Sequence, residues 1–214
     1  IQVPLMLIIS ASLALALDSG RLYGTRFFRI SIFIPYAVPG VVSTLMWGFL
    51  LGTRYGLFKN VNELFGTDVD PFSPSSVIVA IGVMISWGSI GYNMLIFYSS
   101  LKAIPTELYE AAAIDGASHW QVDRNIKIPE ISGSLSIALI FAIIGSTQLF
   151  NEPQILSKMM GGTGITTNWT PNLYIYDLAF SDSSQGYAAA AAIVMALIVI
   201  VATFAIQIRS MRRS

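Results

Sequence analysis

The chain has 214 residues, of which 54% are hydrophobic and only 11% charged, against about 25% charged in an ordinary soluble domain. Twelve Lys and Arg balance twelve Asp and Glu, so no net field draws the chain toward nucleic acid or an acidic partner. The absence of Cys removes disulfides, thiolate metal sites and thiol nucleophiles together,.

Five stretches lack Asp, Glu, Lys, Arg and His, at 1–17, 30–51, 76–101, 131–151 and 187–208. Each approaches or exceeds the roughly 20 residues that a helix needs to cross the hydrocarbon layer. The pattern predicts an all-α, polytopic transmembrane helix bundle forming one domain over 1–214. Ile1 stands inside an apolar run, without Met or a charged flank, so we expect a truncated N-terminus rather than a signal peptide,. Room then remains for a span upstream.

In chain order, the connection 18–29 carries Arg21, Arg26 and Arg29. The span 30–51 contains Pro35 and Pro39, each removing a backbone donor, so a kinked helix is expected there,. The freed carbonyls need protein or water partners, so either this helix lies against protein or a solute pathway or the kink merely shapes packing. The connection 102–130 carries Lys102, Arg124 and Lys127, and the tail carries Arg209, Arg212 and Arg213. Nine of the twelve cations thus fall on alternate connections. By the positive-inside rule these face the cytoplasm, and the C-terminus with them. In the last span Ala188, Ala192 and Ala196 form a four-residue stripe against which another helix can approach closely,.

The spans hold no ionisable residue, whereas proton- or ion-coupled carriers need one at depth,. His119 is the only imidazole and lies in the connection 102–130, where we expect a structural or surface role. If the chain moves a solute against a gradient, its energy has to enter from outside the spans, and the largest cytoplasmic connection is the obvious port.

That connection is rich in helix punctuation. Pro105 suits a first helical turn, and Glu107 and Glu110 lie toward the positive end of the dipole,. The Ala-rich run 110–114 favours helix, and Gly116 can end it in the left-handed conformation,. Ser118 with Gln121 has the spacing of a capping box that starts a second short helix, which Pro129 is expected to stop,. Leu108, Ile114 and Trp120 are apolar groups poorly suited to open water, so the loop is either a docking element for another protein or an amphipathic segment lying on the membrane,.

Glu110-Ala111-Ala112, three residues, Gly116, nine residues and Ile126-Lys127-Ile128-Pro129 resemble the signature loop of binding-protein-dependent ABC importer permeases. Ile128 stands where that pattern has Leu. The resemblance implies that 102–130 is a coupling loop gripped by a separate ATPase subunit, with Glu110, Ala111, Ala112, Asp115, Gly116 and Trp120 as its ATPase-coupling residues. Glu110 would anchor a basic group there, and Gly116 would form the corner. The chain would be non-catalytic and hold no cofactor, ATP and Mg being bound by the partner ATPase subunits. The other implied partners are a homologous second permease, two ATPase subunits, an extracytoplasmic solute-binding protein, a small-molecule saccharide and the lipid of a bacterial or archaeal cytoplasmic (inner) membrane.

The likeness runs over nearly the whole chain and is similar to sugar-importer permeases typified by the larger membrane subunit of the maltose transporter. It rests on Arg26-Phe27-Phe28-Arg29, Ile34-Pro35-Tyr36-Ala37-Val38-Pro39, Ser100 to Pro105, Tyr174-Ile175-Tyr176, Ala179-Phe180 and Gln185 to Ala190. Met160-Gly161-Gly162-Thr163 stands where the subgroup has a Gly-Gly-Pro turn, so its proline is lost. The substrate-contacting positions implied are Tyr36, Ser89, Tyr92, Gln148 and Asn151, with Trp87 and Asn93 nearby. Gln148 and Asn151 are three apart and expected on one helix face,. Uncharged polar groups suit a neutral saccharide, and they also serve as interhelical hydrogen bonds. Alternatives are import of a polyol, glycerol phosphate or amino acid, or a passive channel or scaffold.

Overall fold

The computed structural model describes residues 1–20, 22–161 and 163–211, with side chains through Ile208. Arg21, Gly162, Arg212 and Arg213, and the side chain of Arg209, lie outside the described residues, as do the expectations placed on them. The described residues form helices α1 (Gln2–Asp18), α2 (Thr25–Ala37), α3 (Gly40–Leu51), α4 (Leu57–Phe65), α5 (Val77–Lys102), α6 (Thr106–Ile114), α7 (His119–Val122), α8 (Ile128–Glu130), α9 (Ser132–Thr147), α10 (Asn151–Met159), α11 (Pro171–Phe180) and α12 (Gln185–Met211). A π turn, Asp123–Lys127, joins α7 to α8. No strand occurs among the described residues.

Three helical stretches are long and apolar enough to cross a membrane: Val77–Lys102, Ser132–Met159 and Gln185–Ile208. A fourth arises if α2 and α3 are taken together, and α1 is a shorter apolar helix. The kink expected at 30–51 is a full break. Pro39 adopts an extended conformation (φ −55°, ψ 135°) and caps α3. The ring of Pro39 also disfavours the helical region for Val38, so α2 cannot run through.

The chain divides into two compact units. The first comprises Ile1–Ala37, Trp87–Ala142 and Ala205–Ser214. Its core is built from Met6, Leu7, Ala14 and Leu17 of α1, Met94, Phe97 and Leu101 of α5, Ile104, Ile131, and Ala138 of α9. Buried Ser10 donates its hydroxyl to the Met6 carbonyl at 2.8 Å and is 3.1 Å from that of Ile90, so its polar atom is satisfied between α1 and α5,. Ser100 of α5 and Ser134 of α9 share a hydroxyl hydrogen bond.

The second unit comprises Val38–Ser86 and Ile143–Phe204. Phe72, Val77, Ala80, Ile81, Met84 and Leu156 form its core. Gly48 lets α3 approach α10: a Cβ there would fall 2.9 Å from the Met159 sulfur. In α12 Ala188 is buried and Ala191, Met195, Val199, Ala202 and Thr203 are half-buried, whereas Ala192 and Ala196 are exposed. Of the alanine stripe read from the sequence, only Ala188 is covered within this chain.

Candidate functional site

Residues 103–130 form a helical elbow. Helix α6 follows Pro105 and carries Glu107 in its first turn. It ends with the Gly116 amide donating to the Ala113 carbonyl at 3.1 Å and the Ala117 amide to the Ala112 carbonyl at 2.9 Å. This is the Schellman arrangement, and it needs a left-handed residue at its centre. Gly116 supplies it with φ +70°. The capping box expected from the spacing is present: the Ser118 amide donates to Gln121 Oε1 at 2.7 Å and the Gln121 amide to Ser118 Oγ at 3.4 Å.

Pro129 does not stop the second helical run. The backbone widens into the π turn at Asp123–Lys127 and continues through Pro129 to Glu130. A proline ring clashes with the carbonyl four residues before it, and a widened turn moves that carbonyl aside.

The elbow is fixed to the first unit on one side and open on the other. Tyr109 and Ile126 pack against the core. The Tyr109 hydroxyl is buried with no hydrogen-bond partner among the described residues. Burial and then the charge of Asp18 raise its pKa. Glu110, Ala111, Asp115 and Gly116 are exposed and Ala112 is half-buried. Ile114 is 87% and Trp120 66% exposed, so the turn presents two large apolar groups that nothing in this chain covers.

At the base of the elbow Asp18 accepts from Lys102 Nζ at 2.7 Å and Lys127 Nζ at 3.0 Å, and Lys127 also reaches Asp123 at 3.1 Å. The Asp18 side chain is only 7% exposed. Burial pushes its carboxyl up, but the hydrogen bonds and charges of the two lysines prevail and hold it below its ordinary value. Burial likewise lowers Lys127, and the bonds to Asp18 and Asp123 override it, leaving the ammonium above its ordinary value. Sequence reading missed this network. The only cue was a lone Asp ending an apolar run.

The residues implied to contact substrate fall in both units. In the first, the Tyr36 and Tyr92 rings stack at 4.6 Å with 14° between planes, and Phe33 lies 5.5 Å from Tyr36. Both tyrosines are exposed enough to present ring faces and hydroxyls. Ser89 and Trp87 are half-buried. Asn93 is buried and donates Nδ2 to the Ser89 carbonyl at 2.9 Å, so it is occupied within its own helix.

In the second unit, Gln148 and Asn151 are both exposed but do not share a helix face. Helix α9 ends at Thr147, Gln148 lies in the break, and Asn151 starts α10. Pro153 explains the break: in a continuous helix its ring would strike the Leu149 carbonyl, whereas in a first turn it is tolerated,. The Gln148 carbonyl accepts from Asn172 Nδ2 at 2.7 Å, which ties this corner to α11. Of the Gly-Gly turn at 160–163, Gly162 lies outside the described residues, and Thr163 is buried, its Oγ1 accepting from the Ile165 amide at 3.4 Å.

Residues 7–213 match the family model described as binding-protein-dependent transport system inner membrane component. The chain is 33% identical to the trehalose/maltose transport system permease protein MalF of Thermococcus litoralis, over 96% of this chain and 68% of that protein. It is 32% identical to the lactose transport system permease protein LacF of Rhizobium radiobacter, over 95% and 70%. Against the diacetylchitobiose uptake system permease protein NgcF of Streptomyces coelicolor the identity is 31%, over 83% of this chain and 51% of that protein. The chain thus spans about half the length of some of these relatives and about two thirds of others. The same fold occurs in a bacterial ABC transporter involved in the import of the acidic polysaccharide alginate, with a TM-score of 0.81 at 20% identity, covering 99% of this chain and 76% of that one. A membrane helix bundle, a helical elbow with its glycine corner, and identity above 30% to sugar permeases all agree: the chain belongs to the family of binding-protein-dependent transport system inner membrane components.

Proposed function

We propose that this chain is the permease subunit of an ATP-driven importer for a saccharide. It forms half of a translocation pathway with a homologous second permease, receives solute from an extracytoplasmic binding protein, and is driven by two ATPase subunits that grip residues 102–130. ATP and Mg belong to those ATPases, and this chain performs no hydrolysis. The loop and the C-terminus face the cytoplasm. The observation that carries the reading is the elbow itself: a glycine corner between two capped helices that leaves Ile114 and Trp120 uncovered. Surfaces of that kind mark protein docking sites. The named solutes of the relatives, which include trehalose, maltose, lactose and diacetylchitobiose, support a saccharide. So do the stacked, uncharged Tyr36 and Tyr92, since aromatic faces take the apolar side of a sugar ring,.

Alternating access follows from the arrangement. Closure of the ATPase pair would draw the two elbows together and reopen the spans outward. The test is ATP hydrolysis by the complex reconstituted with its binding protein, across neutral oligosaccharides, a polyol, glycerol phosphate and an amino acid. Stimulation by an oligosaccharide alone is expected. Stimulation by another class would reassign the solute, and uptake surviving ATP depletion would favour a passive channel.

A further inference from the structure

We propose that Asp18 is the positioning residue through which movement of the elbow at 103–130 is passed to α1 and α5. The inference rests on the reading of that elbow as the ATPase-docking element. Asp18 ends α1, Lys102 ends α5, and Lys127 lies in the π turn of the elbow. One carboxylate joins all three, at 2.7 Å to Lys102 and 3.0 Å to Lys127. Lys127 in turn holds Asp123 at 3.1 Å, so the ion-linked group extends four residues back along the elbow.

Two features distinguish this junction from the elbow's other attachments. Tyr109, Ile126, Ile104 and Ile131 hold it by apolar contact, which is non-directional and tolerates sliding,. A nearly buried carboxylate bonded to Lys127, whose side chain is only 10% exposed, does not slide, because parting the two leaves each charge short of a partner in a poorly solvated place, while the more exposed Lys102 adds a second bond from the end of α5,. Rigid links of this kind carry displacement between elements. Second, Lys127 bonds Asp18 and Asp123 at once, so the ion-linked group spans the π turn from its first residue to its last. Such a turn is a backbone form found where helices accommodate functional strain.

The experiment uses the whole transporter, purified through a tag on this chain and reconstituted in liposomes, and reads solute moved per ATP hydrolysed. Asp18→Asn is expected to lower that ratio about fivefold or more while hydrolysis continues, the scale of a coupling energy of 1 kcal/mol or above. Asp18→Glu is expected to restore much of it. An Asp18→Asn complex that assembles and transports at the wild-type ratio overturns the inference. Should Asp18→Asn fail to assemble, the Asp18→Cys/Lys127→Cys pair decides, since the chain has no other Cys. Bridging the two thiols with a short reducible linker is expected to raise the ratio and reduction to lower it, and an identical ratio in both forms overturns the inference. If the wild-type complex shows no solute-dependent hydrolysis, the reading of the elbow itself falls, and the role of Asp18 with it.

Discussion

A single methyl group on Gly91 would fall 2.1 Å from the carbonyl oxygen of Ile32, so α5 and α2 meet backbone to backbone at that point. One residue on, Tyr92 reaches the Tyr36 ring, and the stack at 4.6 Å depends on this close approach. Gly91→Ala forces the two backbones apart, at an expected cost of about 1–3 kcal/mol. Gly88, three residues earlier on α5, has open space around its missing Cβ. Gly88→Ala should therefore be neutral or stabilising by up to about 1 kcal/mol through helix propensity. Melting temperatures in detergent separate the two, and equal behaviour would contradict the close approach.

Tyr36→Ala removes the stack while leaving the Tyr92 hydroxyl in place. An aromatic pair is worth about 0.5–1.5 kcal/mol, so the half-saturating solute concentration for uptake is expected to rise roughly two- to tenfold. Tyr36→Phe keeps the rings and should keep most of the affinity. If the alanine variant transports with unchanged half-saturation, the tyrosine pair does not contact solute.

Gly116→Val places a β-branched residue at φ +70° with no neighbour within 4 Å of its Cβ, so the cost is purely one of backbone conformation. That cost is roughly 1–2 kcal/mol, enough to displace the corner locally while the bundle stays inserted. ATP-driven uptake should fall sharply in a chain that still assembles in the membrane, and Gly116→Asn should be milder. Equal uptake in all three forms would remove the corner from the coupling path.

The ion network sets a pH window. In the folded chain the Asp18 carboxyl titrates below its ordinary 3.8, so its contribution is fully present above that value and is lost as pH falls through the lower folded one,. Lys127 titrates above its ordinary 10.5, so its contribution is fully present below 10.5 and is lost as pH rises through the higher folded value,. The network's contribution to the melting temperature should therefore be flat from about pH 4 to about pH 10 and fall on either side,. On that plateau Asp18→Asn is expected to lower stability by about 3 kcal/mol or less, and to make the acid limb shallower. An acid limb of unchanged depth would mean that other carboxylates set it.

Much of this was legible in the sequence because the deciding signals are local. Charge-free runs gave the apolar helices, and Pro105, Gly116, Ser118 and Gln121 gave the elbow, since each acts on backbone groups within a turn of itself. What escaped depended on contacts between distant segments or on choices among proline geometries. Asp18 is unremarkable until Lys102 and Lys127 are brought to it. Pro39 and Pro129 have the same chemistry, yet one breaks a helix and the other is absorbed by a π turn. Pro153 separates Gln148 from Asn151, which a count of three residues had placed on one face. Gly91 could not be distinguished from Gly88 without the helix that lies against it.

Whether the elbow enters an ATPase subunit can be read from a single thiol at its corner. With no native Cys in the chain, Trp120→Cys puts one reactive group at the exposed corner. In the assembled transporter we expect it to react only from the cytoplasmic side and to cross-link to the ATPase subunit. Labelling from the outer face, or ATP-driven uptake by a complex in which that thiol never cross-links to an ATPase, would mean that the elbow does not dock there.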